Sequence, residues 1–210
     1  MELDPAEQRV LGCLLEKHLS TPQYYPLTLN SLTAACNQTS NRDPVTHYGE
    51  GDVGDAVAAL RERGLVRVVH SSGNRAVKFR HVLDEAWGLD DQHRAILAVL
   101  LLRGPQTTGE LRTRTERLAR FDSLAEIDEV VRLLSARDQP LARTLDRAPG
   151  QKEARVTHLL GPQADAPAQD AHAAPRQSDL EARVERLERA VQVLQTQLAS
   201  GMPGVDTTLD

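Results

Sequence analysis

The stretch TTGELRTRTERLARFDSLAEIDEVVRLL, residues 107–134, contains two consecutive helix starts. Thr107 is followed three residues later by Glu110, and Ser123 is followed three residues later by Glu126. This is the spacing of a capping box, in which side chains satisfy the free N–H groups of a helix's first turn. Apolar residues recur at helical spacing after each start. The stretch therefore predicts two helices joined by a short turn.

The flanking sequence adds one helix before this pair and a β-hairpin after it. Apolar residues between 89 and 102 predict the helix, and residues 141–145 and 153–160 predict two antiparallel strands separated by Pro149-Gly150. Three helices followed by a hairpin is the element order of a winged helix. A small α+β domain of another kind, with a three-helix core, is the alternative.

The same order is present earlier in the chain. The pattern predicts a helix after Asp4, a helix after Thr28, a helix from about 52 to 64, and strands at 65–69 and 76–79. Apolar residues of the two copies match at offsets of 85, 79 and 74 residues, so the first copy has six extra residues before its second helix and five after it, between 40 and 47. We expect a mainly α protein with small β-hairpin wings, built from two tandem winged-helix domains at 1–85 and 86–161.

Residues 162–210 divide into a linker, a helix and a tail. Residues 162–177 are rich in Ala, Asp, Pro and Gln and predict a disordered linker, and 201–210 predicts a disordered tail. Between them, 178–200 predicts a coiled-coil helix with valine or leucine at position a and leucine at position d, which favours a parallel homodimer. Its seam is Leu180, Val184, Leu187, Val191, Leu194 and Leu198. A helix that docks on its own chain is the alternative.

Charge and hydropathy narrow the class of protein. Residues 1–85 hold nine basic and eleven acidic side chains, and residues 86–161 hold twelve and eleven, so neither predicted domain is a basic block. No apolar stretch approaches the roughly 20 residues of a membrane span. The first residues include Glu2 and Asp4 in place of the basic start of a secretory signal. We therefore expect a cytoplasmic protein with no membrane partner.

The motifs that carry enzyme chemistry are missing or misplaced. Gly49, Gly51 and Gly54 match GxGxxG, but no buried strand precedes them and the acidic residues between them would repel a pyrophosphate. The seven histidines lack zinc-ligand spacing, and Cys13 and Cys36 have apolar or small neighbours typical of buried free thiols. The sequence therefore predicts a protein that is not an enzyme and has no cofactor or metal.

Basic residues lie on the predicted wings and on one flanking helix, and not on the helices that would enter a DNA groove. The third and sixth helices have largely acidic exposed positions, which disfavours phosphate contact. The candidate nucleic-acid-binding residues are Arg67, Arg75, Lys78, Arg80, Arg112, Arg114, Arg117, Arg120, Arg147 and Lys152. They suit contacts to the phosphate backbone, although each set is also typical of a solvated surface.

Three strings resemble the YceH family of bacterial proteins over about residues 3 to 160. They are CNQTSNRDPV at 36–45, GNR at 73–75 and LLRGPQTTGELR at 101–112. The resemblance implies a tandem winged-helix fold and a bacterial cytoplasmic protein. It implies no activity, so it assigns no catalytic or ligand residue.

Asn41, Arg42 and Asp43 lie in the five-residue excess of the first copy. Asn and Asp suit turns closed by hydrogen bonds from side chain to backbone, and Arg42 could pair with a carboxylate or bind an anion. We hypothesise a rigid recognition loop, with a structural clasp between helices as the alternative.

Two functions follow from these patterns. The first is a regulatory protein that binds double-stranded DNA, dimerised through its C-terminal helix. The second is an interaction scaffold whose winged helices bind other proteins, and the acidic third and sixth helices favour it.

Overall fold

The computed structural model describes residues 2–70, 76–147 and 150–162. The first segment, residues 2–87, consists of α1 (Pro5–Ser20), a 3-10 turn (Pro22–Tyr24), β1 (Leu27–Thr28), α2 (Leu29–Cys36), α3 (Glu50–Glu62), β2 (Val66–Val69), β3 (Lys78–His81) and α4 (Leu83–Trp87). The second segment, residues 88–162, consists of α5 (Asp91–Arg103), α6 (Thr108–Thr115), α7 (Leu124–Ser135), β4 (Ala142–Leu145) and β5 (Arg155–His158). The chain is mainly helical with small antiparallel sheets, as predicted.

Local capping fixes where most of these helices begin. Thr28 accepts a hydrogen bond from the backbone N–H of Ser31 at 3.2 Å, and Thr107 accepts one from Glu110 at 3.1 Å. These matched caps begin the second helix of each segment. The predicted capping box at Ser123 was half wrong, because the carboxylate of Glu126 accepts from the backbone N–H of Asp122 and leaves Ser123 as a simple cap.

The sheets differ in detail from the predicted hairpins. β3 begins at Lys78, two residues later than expected, and pairs with β2 in the register Val66↔His81. β1 pairs with the other edge of β3, so the first sheet has the order β1-β3-β2. In the second segment Gln106 forms one isolated bridge to Val156 of β5, at the position that corresponds to β1. The sequence pattern predicted neither β1 nor α4.

The two segments share one hydrophobic core. α1 and α5 pack side by side at its centre, and residues 94–102 of α5 are all buried. A helix buried on every side carries no polar face, which explains the long apolar run in α5. The backbone N–H of Leu3 donates to the carbonyl of Leu160 at 2.6 Å and ties the start of the first segment to the end of the second.

Each hairpin ends in a buried histidine with the same local bond. Nδ1 of His81 accepts from the backbone N–H of Leu83, and Nδ1 of His158 accepts from that of Leu160, both at 3.3 Å. The two histidines pair across their sheets with Val66 and Ala142. The sequence contains this repeat as His-Val-Leu at 81–83 and His-Leu-Leu at 158–160. The match between the apolar residues of the helices does not extend to it.

The bond at Nδ1 fixes the tautomer of His81 and its role in the core. Nε2 of His81 then carries the proton and donates to Nδ1 of His18, 2.7 Å away. His18 stacks on Tyr25 with ring centroids 4.6 Å apart, and the Tyr25 hydroxyl accepts from the backbone N–H of His81 at 2.7 Å. Burial lowers the pKa of His81 to about 3, helped by His18, and burial lowers the pKa of His158 to about 4. Both imidazoles therefore belong to the fold in their neutral form.

Several predictions fall outside the described residues. These are the linker from 163 onward, the coiled-coil helix at 178–200 with its seam, the tail at 201–210, and the first-hairpin turn that contains Arg75.

Gly12 tests the close packing of α1 on α5. A Cβ at this position would lie 2.9 Å from Cγ of Leu102 and 3.0 Å from Cβ of Leu101, so Gly12→Ala should lower the free energy of unfolding by about 1–3 kcal/mol. Gly54→Ala in α3 is the matched control. Its Cβ meets nothing within 4 Å, so we expect a gain of roughly 0.5–1 kcal/mol. Urea denaturation measures both, and equal stability of the two variants would contradict the tight contact.

The buried histidines make the fold sensitive to acid. In the unfolded chain both imidazoles bind protons near pH 6.5, whereas in the native state His81 and His158 stay neutral down to pH values of about 3 and about 4. The unfolded state thus binds more protons, and stability should fall as pH drops below 6.5, by roughly 1.4 kcal/mol per pH unit for each histidine. Urea denaturation between pH 7.5 and about 5 measures this slope.

His81→Gln should be less stable than the wild type at neutral pH and lose stability less steeply on acidification. His70→Gln is the control, since His70 is exposed and should leave the slope unchanged. An equal slope in His81→Gln and the wild type would show that His81 does not contribute to the acid response.

Candidate functional site: the groove between the two segments

Arg42, in the predicted recognition loop, is buried. Its guanidinium donates to both carboxylate oxygens of Glu16 on α1, at 3.0 and 2.7 Å, and to the carbonyl of Ala35 on α2 at 3.0 Å. Burial opposes the charge on Glu16, but the hydrogen bonds and charge of Arg42 outweigh it and hold the pKa of Glu16 below its ordinary value. Arg42 thus clasps the loop to two helices and is not available to an external anion.

The neighbours of Arg42 attach the loop to the second segment. Asn41 is exposed and has a φ of 59°, a left-handed conformation that asparagine tolerates better than most residues. Its Oδ1 accepts from the guanidinium of Arg103 at 2.5 Å. The backbone N–H of Asp43 donates to the carbonyl of Leu102 at 2.9 Å, which satisfies a free carbonyl at the end of α5. The Asp43 side chain is exposed.

A groove of about 590 Å³ lies beside this loop, between α1 and the loop on one side and α5 and α6 on the other. We call it the junction groove. Four cationic side chains line it, and two carboxylates accompany them. The cations are Lys17, Arg103, Arg114 and Arg117, and the carboxylates are Glu16 and Glu116.

The cations of the junction groove come from both segments. Lys17 lies 3.3 Å from Glu16, which also holds Arg42, and Arg114 lies 3.6 Å from Glu110. Arg103 has the amide oxygen of Asn41 as its partner, and burial together with the charge of Arg114 lowers the pKa of Arg103. The groove is therefore a concave, net positive surface that both segments build.

Only part of the predicted nucleic-acid-binding set meets at this groove. Arg114 and Arg117 line it, and Arg112 lies nearby on α6. Arg112 and Arg117 are exposed, and neither forms an ion pair with a described residue. Lys17 and Arg103 were not predicted as binding residues. No short-range sequence pattern indicates that the end of α5 lies against α1 and the loop.

Two arginines of the first wing share one carboxylate. Arg67 and Arg80 both donate to the carboxylate of Glu85 on α4, at 2.6 and 2.5 Å. Lys78, on β3, is half-buried. The α4 helix that supplies Glu85 was missing from the sequence prediction, so the pairing could not be foreseen.

The remaining predicted cations are dispersed. Arg120 pairs with Asp122 at 2.8 Å. Arg147 and Lys152 are exposed at the end of the second hairpin and do not line the junction groove. The structure thus divides the predicted set into a group at α6, a paired group at the first wing and a separate pair at the second wing.

The helices that would read DNA bases have acidic exposed faces, as the sequence indicated. Asp52 and Asp55 of α3 are exposed, and so are Asp128 and Glu129 of α7. Glu129 pairs with Arg132 of the same helix at 2.6 Å. Each helix also exposes one arginine, Arg61 on α3 and Arg132 on α7, but the acidic side chains outnumber it and disfavour contact with phosphates.

The glycine motif at 49–54 and the two cysteines have structural roles. Gly49 is the N-cap of α3, and its N–H donates to Asp52 at 2.8 Å, so the glycine motif is a helix start and not a dinucleotide loop. Cys13 and Cys36 are buried free thiols, as predicted. Within 2–70, 76–147 and 150–162, no cluster of three or more His, Cys, Asp or Glu residues could hold a metal, and no helix could cross a membrane.

Comparison with known sequences assigns the family. The model of a family described as "Protein of unknown function, DUF480" matches residues 3–151, most of the chain. The chain belongs to the DUF480 family. The match includes the loop at 41–43 and every residue of the junction groove. This membership agrees with the resemblance to YceH seen in the sequence.

Curated proteins named UPF0502 protein are similar to most of the chain. The protein of Geobacter metallireducens is 50% identical over 183 residues, which is 87% of this chain and 83% of the relative. That of Geobacter sulfurreducens is 48% identical over the same shares. That of an Azoarcus species is 43% identical over 208 residues, 98% of this chain and 92% of the relative.

Replacing Arg42 tests whether it acts as a clasp. Arg42→Ala removes both hydrogen bonds of the buried guanidinium to the Glu16 carboxylate and leaves Lys17 as its remaining ion-pair partner among the described residues, so the free energy of unfolding should fall by about 3–5 kcal/mol. Arg132→Ala removes an exposed pair with Glu129 and is the matched control, with no resolvable change expected. Thermal and urea unfolding measure both. Wild-type stability in Arg42→Ala would contradict the clasp and return the residue to the recognition hypothesis.

Proposed function

We propose that this chain is a DNA-binding protein without enzymatic activity, which holds duplex DNA through its phosphate backbone. The observation that carries the proposal is the group of cations at α6. Arg112 and Arg117 are exposed without ion-pair partners among the described residues, and Arg117 lines the junction groove together with Arg103 and Arg114. Positive charge without a protein counterpart attracts phosphates, and it releases counterions when they bind.

The proposed binding mode is backbone contact with little reading of sequence. The acidic exposed faces of α3 and α7 would be repelled by phosphates if either helix entered the major groove. Side chains on flanking helices and wings can still hold the backbone and orient the protein. Arg112 and Arg117 therefore carry affinity, and α3 and α7 stay away from the duplex.

The finer architecture is part of the same proposal. The order of three helices and a hairpin, repeated once, supports two tandem winged-helix domains at 1–85 and 86–161. A homodimer formed through the helix at 178–200 would double the phosphate contacts, since linked sites bind with raised effective concentration. A cytoplasmic location would give such a protein access to DNA.

A protein-interaction scaffold is the second candidate, and two exposed apolar side chains of α7 favour it. Leu124 and Leu133 are 43% and 41% exposed, and each lies four residues from an exposed acid of the same helix, Asp128 and Glu129 respectively. Apolar side chains ringed by charge are typical of surfaces that bind protein partners. Such a partner would present basic groups around an apolar contact.

Fluorescence anisotropy with a mixed-sequence DNA duplex tests the first candidate. Binding should be saturable and weaken steeply between about 50 and 200 mM salt. The double variant Arg112→Gln, Arg117→Gln should bind more weakly and reduce the slope of log K against log salt by roughly two, about one for each lost phosphate contact. Arg132→Gln on α7 is the control and should match the wild type.

Absence of binding at the lowest salt would overturn the DNA proposal. A slope that is unchanged in the double variant would show that DNA binds on another surface. In the first case the acidic face of α7 becomes the better candidate, and Leu124→Ser with Leu133→Ser tests it by loss of captured partners.

A further inference from the structure

The floor of the junction groove is out of reach of a DNA duplex. A duplex is a broad convex cylinder, so it can touch Arg117 at the rim but cannot enter a concavity of about 590 Å³. That volume lies within the roughly 300–1,000 Å³ of small-molecule sites. The groove therefore offers a second binding surface whose occupant is small.

The charges of the groove select an anion. Glu16 is already held by two hydrogen bonds from Arg42, so it leaves the groove's cations only partly compensated. Among the described residues Arg103 forms its side-chain hydrogen bond with an amide oxygen and forms no ion pair, and its burial together with the charge of neighbouring Arg114 lowers its pKa, although Asp43 and Glu16 act in the other direction. An anion placed between these two guanidinium groups would relieve their repulsion. Arginine pairs of this kind suit the oxygens of a phosphate.

The uncharged lining narrows the ligand further. Hydroxyl and amide groups surround the cations and can exchange hydrogen bonds with the hydroxyls of a ligand. These groups are Ser20, Thr21, Ser40, Thr113, Gln38 and Asn41. None of the residues that line the groove is aromatic, so it has no ring on which a nucleobase could stack.

We propose that the junction groove binds a small, hydroxyl-rich organic phosphate, of the sugar phosphate class. Arg103 and Arg114 hold the phosphate, and Asn41, Ser40 and Gln38 meet the hydroxyl groups. Because α1 and the loop contribute one wall and α5 and α6 the other, the bound ligand bridges the two segments and stabilises their packing. This site does not depend on DNA binding.

Isothermal titration calorimetry with ribose 5-phosphate as the probe tests the site in the absence of DNA. We expect saturable binding at one site per chain, weaker binding of inorganic phosphate and none of ribose. Arg103→Gln and Asn41→Ala should each weaken binding by roughly tenfold or more. The first removes a charge-assisted hydrogen bond to the phosphate, and the second removes a hydrogen bond to a ligand hydroxyl. Arg143→Gln is the control. Arg143 is exposed on β4 outside the groove, so this variant should bind like the wild type.

Thermal unfolding without ligand shows whether Arg103→Gln and Asn41→Ala fold, and Arg117→Gln at the exposed rim serves as a third variant if either does not. Failure of ribose 5-phosphate to bind, or binding that none of these variants weakens, would overturn the proposal. Binding of AMP at least tenfold tighter than ribose 5-phosphate would also overturn it, since that would require a nucleobase site. Because no DNA is present, these outcomes leave the DNA proposal to its own measurement.

Discussion

The contact between α1 and α5 is the constraint on which the rest of the structure depends. Gly12 lets α1 approach α5 so closely that a methyl group would no longer fit between Gly12 and the side chains of Leu101 and Leu102. Both helices are then buried along most of their length, so each segment completes the core of the other. Two backbone hydrogen bonds, from Leu3 to Leu160 and from Asp43 to Leu102, also join the first segment to the second.

This packing explains why the first copy of the repeat carries extra residues between 40 and 47. The packing of α1 on α5 places this loop against the end of α5. There the backbone N–H of Asp43 donates to the carbonyl of Leu102, and the guanidinium of Arg103 donates to Asn41. Arg42 then has to turn inward, and the cost of burying its charge is met by Glu16 and the carbonyl of Ala35. The junction groove is what remains open beside this clasp, and its charges follow from the same placement.

The sequence was sufficient for features whose causes are local. Caps such as Thr28 and Thr107 act within three residues, and the apolar offsets located the extra loop correctly. Features that depend on distant partners could not be predicted. Arg42 meets Glu16 across 26 residues and Arg103 meets Asn41 across 62, so neither the clasp nor the groove leaves a short-range pattern. The two-residue strand β1 and the five-residue helix α4 are too short to carry a periodic signal.

Charge distinguishes the two segments, although both contain three helices followed by a hairpin. In the first segment α4 supplies Glu85, whose single carboxylate pairs with both Arg67 and Arg80 of the wing and offsets part of their charge. In the second segment Arg112 and Arg117 have no such partner among the described residues. If the protein binds DNA as proposed, the unpaired arginines of the second segment are the stronger contacts for a phosphate backbone. The two segments thus share three helices followed by a hairpin but differ in electrostatic surface, because the side chains that set the charge are not the same in both.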